Sequence, residues 1–421
     1  GREHGLGQAG RGAVGRVVGP AEEEAAAPSS CGRRADRSRR PIRPPTRTGH
    51  HVIMNTRQLE PTAPPAPELS TRSSAKPSPV SPESTPPTAQ SAAALPRRAR
   101  PRRRVLKIVA IVLAVLVVLG AAAGAWLVHS MGPAFGIWWP APNPQSYGSR
   151  VLDLMDSGIH ATGQEWARAR ADAAERIGRA ATHDEVDAIL ADALAVAGGK
   201  HSFMLDAGEA QDLVDSYIAP TSSMDGCVLT VTVPGFAGTA EQGEEYATTL
   251  ADALGAEGVC GVVVDLRDND GGDMGPMLAG LSPLLPDGTV TSFVIQGATS
   301  DVTLKDGAIS GGGTPTSVGQ RDKLDVPVAV LTSSTTASSG EQTLLAFRGL
   351  DNVRVFGAPT RGYASVNQEY PLYTGRTMVL TTGTSQARTG ERFGEEPIAP
   401  DVETPPDGAP AAAAEWIASR S

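Results

Sequence analysis

Two short stretches hold the residues of this chain best suited to chemistry. Asp265-Leu266-Arg267-Asp268-Asn269-Asp270-Gly271-Gly272 follows one apolar run, and Thr336-Ala337-Ser338-Ser339-Gly340-Glu341 follows another about seventy residues later. Each reads as a turn at the C-terminal end of a buried strand, where open α/β folds place their reactive groups. Ser338 stands between a strand and a helix, so its side chain is presented at the sheet edge. The Ser339 amide, at the helix start, points towards any oxyanion formed there. Paired glycines allow close backbone approach and supply an N–H, which makes Gly271 and Gly272 the facing donors. Without these roles the same stretches would be an N-cap and a tight turn, with Asp265 and Arg267 paired structurally.

A serine nucleophile needs a base. Beyond His129, the histidines are His160, His183 and His201. His183 sits at a helix start and His160 precedes a Thr-Gly turn, so both are expected at the surface. His201 follows a glycine pair in a helix-to-strand loop and is the base candidate by elimination. The sequence has no metal-ligand cluster and no phosphate loop, so neither metal nor cofactor is expected.

The elements that must position these residues follow from periodicity. Residues 147–198 read as helices; Thr182 with Glu185 is a capping-box signature ahead of Val186, Ile189, Leu190 and Leu194. Strands are expected at Cys227–Val233, Gly261–Leu266, Val328–Leu331 and Val353–Gly357. Helices are expected at Glu241–Leu254, 274–285 and Ser339–Gly349. That alternation predicts βαβ units and a parallel sheet. Residues 365–388 read as a hairpin turning near Thr374-Gly375-Arg376, 301–323 as a Gly-, Thr- and Ser-rich loop, and Ala409–Ala418 as a closing helix. Cys227 and Cys260 each precede an apolar strand. If those strands are parallel neighbours the two thiols stand level and can form a disulfide in an oxidising compartment; the alternative is two small buried thiols.

The first quarter of the chain is of a different kind. Residues 1–104 are rich in Pro, Ser, Ala, Arg and Gly without apolar periodicity, and read as a disordered tail. The chain opens on Gly1 and its first methionine is Met54, so residues 1–53 are read as upstream of the true start. From Ile108 to Val128 the sequence is apolar and uncharged, long enough to cross a bilayer as a helix. The preceding cluster from Arg97 to Lys107 is expected to stay cytoplasmic. Cleavage at Ala121-Ala122-Ala123 is the alternative, but the apolar run exceeds a usual signal core. The resulting division is a tail over 1–104, a transmembrane helix over 105–128, a helical subdomain over 129–205 and an α/β core over 206–421. The part after residue 129 is expected outside the cell membrane. It is acidic and has no basic stripe, which argues against nucleic-acid binding.

DLRDNDGG, TASSGE, VRVFGAPTRGYASVNQ and Pro397-Ile398-Ala399-Pro400-Asp401 occur in this order, and together they resemble the tail-specific (C-terminal processing) peptidases and their tricorn-core relatives. The resemblance runs from about Tyr147 to Asp401. It implies a crotonase- or ClpP-like α/β core, a Ser338 nucleophile, and oxyanion donors from Ser339 and one of Gly271 or Gly272. The bacterial processing branch takes a lysine base from the loop after Thr360-Arg361-Gly362, where this chain has Tyr363. The tricorn-like branch uses an upstream His-Ser motif, matched by Lys200-His201-Ser202, and a glutamate near the C-terminal end, matched by Glu396 or Glu395 with Glu396 preferred. Only about 25 residues separate His201 from Cys227, too few for the PDZ domain of the processing branch.

The reading is a membrane-anchored exported serine endopeptidase acting on protein or peptide substrates. Its rivals are a catalytically inactive binding protein on the same fold, taking a peptide or hydrophobic ligand, and a crotonase-type acyl-CoA enzyme. The last suits an exported domain poorly.

Overall fold

The computed structural model describes residues 102–405 and 407–420. The expected tail therefore lies outside the described residues, except for its last three positions, which begin helix α1 (Arg102–Met131). Among the described residues α1 is the one helix long and apolar enough to cross a membrane. Its side chains from Leu106 to Leu119 are exposed, as a lipid-facing helix requires. A 3₁₀ turn at Gly132–Phe135 leads into α2 (Pro144–Met155), α3 (Gly163–Ile177) and α4 (His183–Gly198). These three helices close on Tyr147, Val151, Met155, Trp166, Ile177, Leu190 and Leu194. The Thr182 hydroxyl caps α4 by accepting the Glu185 amide at 3.2 Å. The return bond from Glu185 goes to the Ala181 amide at 2.7 Å, one residue earlier than a reciprocal box requires.

A second 3₁₀ turn, Gly199–His201, precedes β1 (Phe203–Leu205), α5 (Ala207–Asp215), β2 (Thr221–Asp225), β3 (Val228–Thr232), α6 (Ala240–Leu254) and β4 (Gly261–Asp265). Next come α7 (Met274–Gly280), β5 (Gly288–Ile295), β6 (Ala298–Lys305), β7 (Ala308–Ser310) and β8 (Thr316–Ser317). The chain continues through β9 (Val328–Thr332), α8 (Ser339–Phe347), β10 (Val353–Gly357), β11 (Ser365–Pro371) and β12 (Thr377–Ala387). It closes with β13 (Arg392–Phe393), β14 (Val402–Glu403) and α9 (Ala409–Ala418).

The expected parallel sheet has the order β14-β10-β9-β4-β3-β2, antiparallel only at the β2–β3 edge. Its central strands are apolar up to their last residues, Asp265 and Thr332, because both faces are covered. Val262, Val264, Val328 and Val330 join a core with Tyr246 and Leu250 of α6, Met277 of α7 and Leu344 of α8. Val263, Ala329 and Leu331 meet Ala409, Ala413 and Ile417 of α9 on the other face. Each such buried valine or leucine contributes roughly 1.5–3 kcal/mol.

A second, antiparallel sheet has the order β1-β12-β5-β6-β7-β8, with β11 and β13 also paired to β12. The hairpin expected at 365–388 is β11 and β12, in register from Ser365↔Thr384 to Pro371↔Thr377 across one bulge. Residues 301–323, read as a loop, instead complete β6 and form β7 and β8. Among their polar residues Val302, Leu304 and Ile309 turn into the core, so three apolar positions hold a composition that otherwise favours turns. The helix expected over 274–285 stops at Gly280 and gives way to a 3₁₀ turn at Ser282–Leu284, where Pro283 has no amide to continue the ladder.

β3 and β4 pair with Val228 opposite Gly261, so the preceding Cys227 and Cys260 stand level and form a disulfide. The bond closes a span of 33 residues that contains α6, a constraint on the unfolded chain of about 3–4 kcal/mol. Replacing both cysteines by serine is expected to lower the unfolding free energy by about that amount in urea titrations. An unfolding midpoint unmoved by reductant would show that the bond contributes nothing.

Candidate active site

Four neighbouring parallel strands, β3, β4, β9 and β10, end on one side of the sheet, and their following loops meet there. The loop after β4 is held by Asn269. Its buried amide Nδ2 donates to the Val233 carbonyl at 2.9 Å, its Oδ1 accepts the Gly271 amide at 3.0 Å, and its own carbonyl accepts the Ala337 amide at 2.9 Å. Asn269 thus joins the loops after β3, β4 and β9 through its side-chain amide and its backbone carbonyl. Asp265 and Arg267 pair beside it, with Nη2 to Oδ2 at 2.7 Å.

Ser338 ends the loop after β9 with φ 50° and ψ −117°, a strained conformation for a residue with a side chain. The Ser338 and Glu341 side chains form a reciprocal capping box at the start of α8. Gly271 packs directly against Ser338: a Cβ added there would lie 2.8 Å from the Ser338 Cβ, so glycine is required. Gly271 and Gly272 both have positive φ, 122° and 117°. The two glycines differ in their amides. That of Gly271 is taken by Asn269, whereas the Gly272 amide has no acceptor among the described residues, and neither has the Ser339 amide. The Ser339 hydroxyl donates to the Gly272 carbonyl and so fixes these two amides relative to each other.

Glu341, in the first turn of α8, is fully buried. Its Oε2 accepts the Ser338 amide at 3.0 Å and the Tyr363 amide at 2.7 Å. Its Oε1 accepts the Gly362 amide at 2.9 Å and the Thr360 hydroxyl. Burial pushes the carboxyl above the usual carboxylate range, while its four donors hold it down. This carboxylate ties the strained serine to the loop after β10.

His201 is buried at the end of α4, where Gly199 turns the chain with φ 72°. Its Nδ1 lies 2.8 Å from the Ser365 hydroxyl on β11, and its carbonyl accepts Asn367 Nδ2 at 3.2 Å. The ring meets Tyr363 edge-on at 5.0 Å between centroids, and the Lys200 ammonium lies 4.7 Å from the centre of the same tyrosine. Tyr363 therefore links the histidine to the Glu341 carboxylate. Of the two glutamates, Glu395 reaches this loop: Oε1 accepts the Lys200 amide at 3.1 Å and Oε2 lies 3.1 Å from His160 Nε2. Glu396 is exposed.

The profile of peptidase family S41 matches residues 228–404. A nisin-resistance protein of Lactococcus lactis subsp. lactis is 37% identical over 298 residues, which cover 70% of this chain and 93% of that protein. The chain belongs to peptidase family S41. A lipoprotein from Streptococcus agalactiae has a similar fold, with a TM-score of 0.61 and 29% identity over 68% of this chain and 99% of that one. The photosystem II D1 C-terminal processing protease is more distant, at 20% identity over 49% of this chain and 48% of that one, with a TM-score of 0.34. The likeness read from the sequence rests on the family profile and the Lactococcus lactis relative. S41 membership supports serine peptidase chemistry on protein or peptide substrates.

Asn269, Glu341, Ser365 and Asn367 had no role in the sequence reading, although Asn269 and Glu341 stand inside its two motifs. A further group, Glu369, lies two residues beyond Asn367 on β11, with a buried Oε1 that has no hydrogen-bond partner among the described residues. Burial, and secondarily the nearby charge of Asp273, pushes its carboxyl from 4.5 up to about 8. A raised carboxyl favours the folded state at or below the ordinary carboxylate pKa, and that contribution is lost as pH rises through about 8. Glu369→Gln is therefore expected to be more stable than the parent at pH 9, by about 1–4 kcal/mol. Near pH 4 the two proteins are expected to match. Thermal unfolding at both pH values checks this, and an equal difference at the two would contradict it.

Proposed function

We propose that this S41 chain is a membrane-anchored serine endopeptidase in which Ser338 is the nucleophile and His201 its base. The observation that carries the reading is the strained turn at Ser338, flanked by the Gly272 and Ser339 amides, which have no acceptor among the described residues. With Nδ1 held by Ser365, Nε2 is the nitrogen that takes the hydroxyl proton as Ser338 Oγ attacks a peptide carbonyl. The carbonyl oxygen becomes an oxyanion between the two amides. His201 then passes its proton to the leaving amine, the C–N bond breaks, and an acyl-enzyme remains. Water, deprotonated by His201, hydrolyses the ester and restores Ser338. Ser365 substitutes here for the carboxylate that orients histidine in many serine hydrolases, and Glu395 holds the loop carrying His201 through the Lys200 amide. Gly271 shapes the turn, and the exposed Glu396 has its backbone against Gly362 in the loop after β10.

In this reading α1 spans the cell membrane. The basic cluster up to Lys107 lies on the cytoplasmic side, and the helical subdomain and catalytic core lie outside. The name of the Lactococcus lactis relative makes the peptide nisin the first substrate to try. Full chain purified in detergent is expected to cleave nisin or an unfolded protein, with Ser338→Ala and His201→Ala each lowering kcat by about 10³-fold or more. Ser365→Ala is expected to lower kcat by about tenfold with KM unchanged, and Ser365→Thr to restore it, as a positioning hydroxyl requires. Cleavage that survives Ser338→Ala would refute the assignment. A folded parent that binds these substrates without cleaving them would support the binding-protein rival.

A further inference from the structure

Between α1 and α2 the chain runs GPAFGIWWPAPN over residues 132–143, with no charged side chain. A segment that only tethered a domain to its helix would be polar and flexible. This one is apolar and structured. Phe135, Ile137 and Trp139 are 49%, 51% and 57% exposed, and they continue the exposed apolar surface of α1 beyond Met131. Among the described residues after α1, six large apolar side chains are exposed: these three, Tyr373, Ile218 and Met224. Tyr373 joins the first three on one face, although it comes from the turn between β11 and β12.

Specific contacts bind that turn to the segment after α1. The Trp138 indole Nε1 donates to the Pro371 carbonyl at 3.1 Å, across 233 positions of sequence. A Cβ added to Gly136, whose φ is 70°, would lie 2.9 Å from the Pro371 Cβ, so the two segments close on each other there. The Trp138 ring meets Tyr373 at 6.5 Å and Tyr147 of α2 at 5.4 Å between centroids. The His129 ring of α1 lies beside the Arg150 guanidinium of α2, Nδ1 to Nη2 at 2.6 Å. The end of α1, the segment after it and the hairpin turn therefore form one assembled face. Its height is set by α1. Ile108–Val128 rises about 31 Å as a helix, the thickness of a hydrocarbon core, which leaves Phe135–Trp139 at the level of the headgroups. Tryptophan and tyrosine are the residues favoured at that level.

We propose that Phe135, Ile137, Trp139 and Tyr373 form a foot by which the exported domain beds into the outer leaflet of the bilayer that α1 spans. Its partner is phospholipid. The aromatic rings and the isoleucine take the boundary between headgroups and acyl chains, where apolar faces with polar edges are most stable. The foot presupposes that α1 spans the membrane, as proposed above, and adds a second contact that does not cross it. It also ties the site to the bilayer. β11 begins at Ser365, the partner of His201, and ends at Pro371, about 20 Å further along an extended strand. The foot therefore sets how far the histidine stands from the lipid, which a free stalk would leave undefined.

The test reconstitutes the full chain in phosphatidylcholine–phosphatidylglycerol vesicles. These contain a phosphatidylcholine with a diazirine near the glycerol end of one acyl chain. After illumination, lipid adducts are located by mass spectrometry of the peptides. Adducts are expected on α1, on the segment Phe135–Trp139 and on the peptide that carries Tyr373. Tyr373 decides, because it is remote from α1 in sequence. Adducts on α1 with none on the Tyr373 peptide overturn the foot and leave the span intact. Adducts on neither refute the span and the foot together. In Phe135→Ser/Ile137→Ser/Trp139→Ser, labelling of the Tyr373 peptide relative to α1 is expected to fall by about fivefold or more, since interfacial binding scales with the apolar area buried. Labelling of Tyr373 unchanged in that variant overturns the foot as a single surface. Should the triple variant fail to fold, Tyr373→Ser is read in reverse, with labelling of Phe135–Trp139 expected to fall in the same way. Neither readout needs turnover, so the assignment of Ser338 stands or falls separately.

Discussion

The site depends on one buried carboxylate. Glu341 accepts four hydrogen bonds, and three of them come from backbone amides that do not belong to its own turn of helix: those of Gly362 and Tyr363, and that of Ser338 at the helix entrance. The serine amide bond helps hold a non-glycine residue at φ 50°, a conformation that costs on the order of 1–3 kcal/mol unless its surroundings fix it. The bonds to the loop after β10 place Tyr363 against His201. A carboxylate left in that position without its donors would be an uncompensated buried charge, so the four loop groups and Glu341 stabilise one another as a set. Asn269 does corresponding work, joining the loops after β3 and β4 through its side-chain amide and the loop after β9 through its backbone carbonyl.

The two sheets divide the remaining labour. The parallel sheet, covered on both faces, supplies the strand ends from which the Ser338 and glycine loops project. The antiparallel sheet brings the other half of the site. β1 pairs with β12 immediately after His201, and β12 pairs with β11, which carries Ser365 and Asn367. One face of the same hairpin packs Tyr370, Leu372, Met378 and Leu380 against the helical subdomain. The histidine is thus held by its helix, its strand and its hydrogen-bond partner, all remote from Ser338 in sequence.

This division also explains what could be read from the chain. The runs 261–264 and 328–331 are apolar throughout and alternate with amphipathic helices, so the parallel core declared itself. β6 did not, because Ala298–Asp301 is exposed and polar and its strand character comes from pairing with β5. Ser338, Gly271 and Gly272 were legible because turns after strands restrict residue type. Glu341 and Asn269 were not, because an acid in a first helical turn and an asparagine in a loop are ordinary until their burial is known. Ser365 carried no signal, being one hydroxyl at the start of a strand. Glu395 and Glu396 are adjacent in a loop without regular periodicity, and sequence offered no way to tell which would turn towards the His201 loop.

The central claim is that Ser338 is an activated nucleophile, and covalent trapping tests it most directly. The full chain would be treated with a fluorophosphonate and the modified residue located by mass spectrometry of its peptides. The account predicts one adduct per chain, on Ser338, with the histidine variant His201→Ala labelled far more slowly. An adduct on another serine, or equal labelling with and without His201, would contradict it.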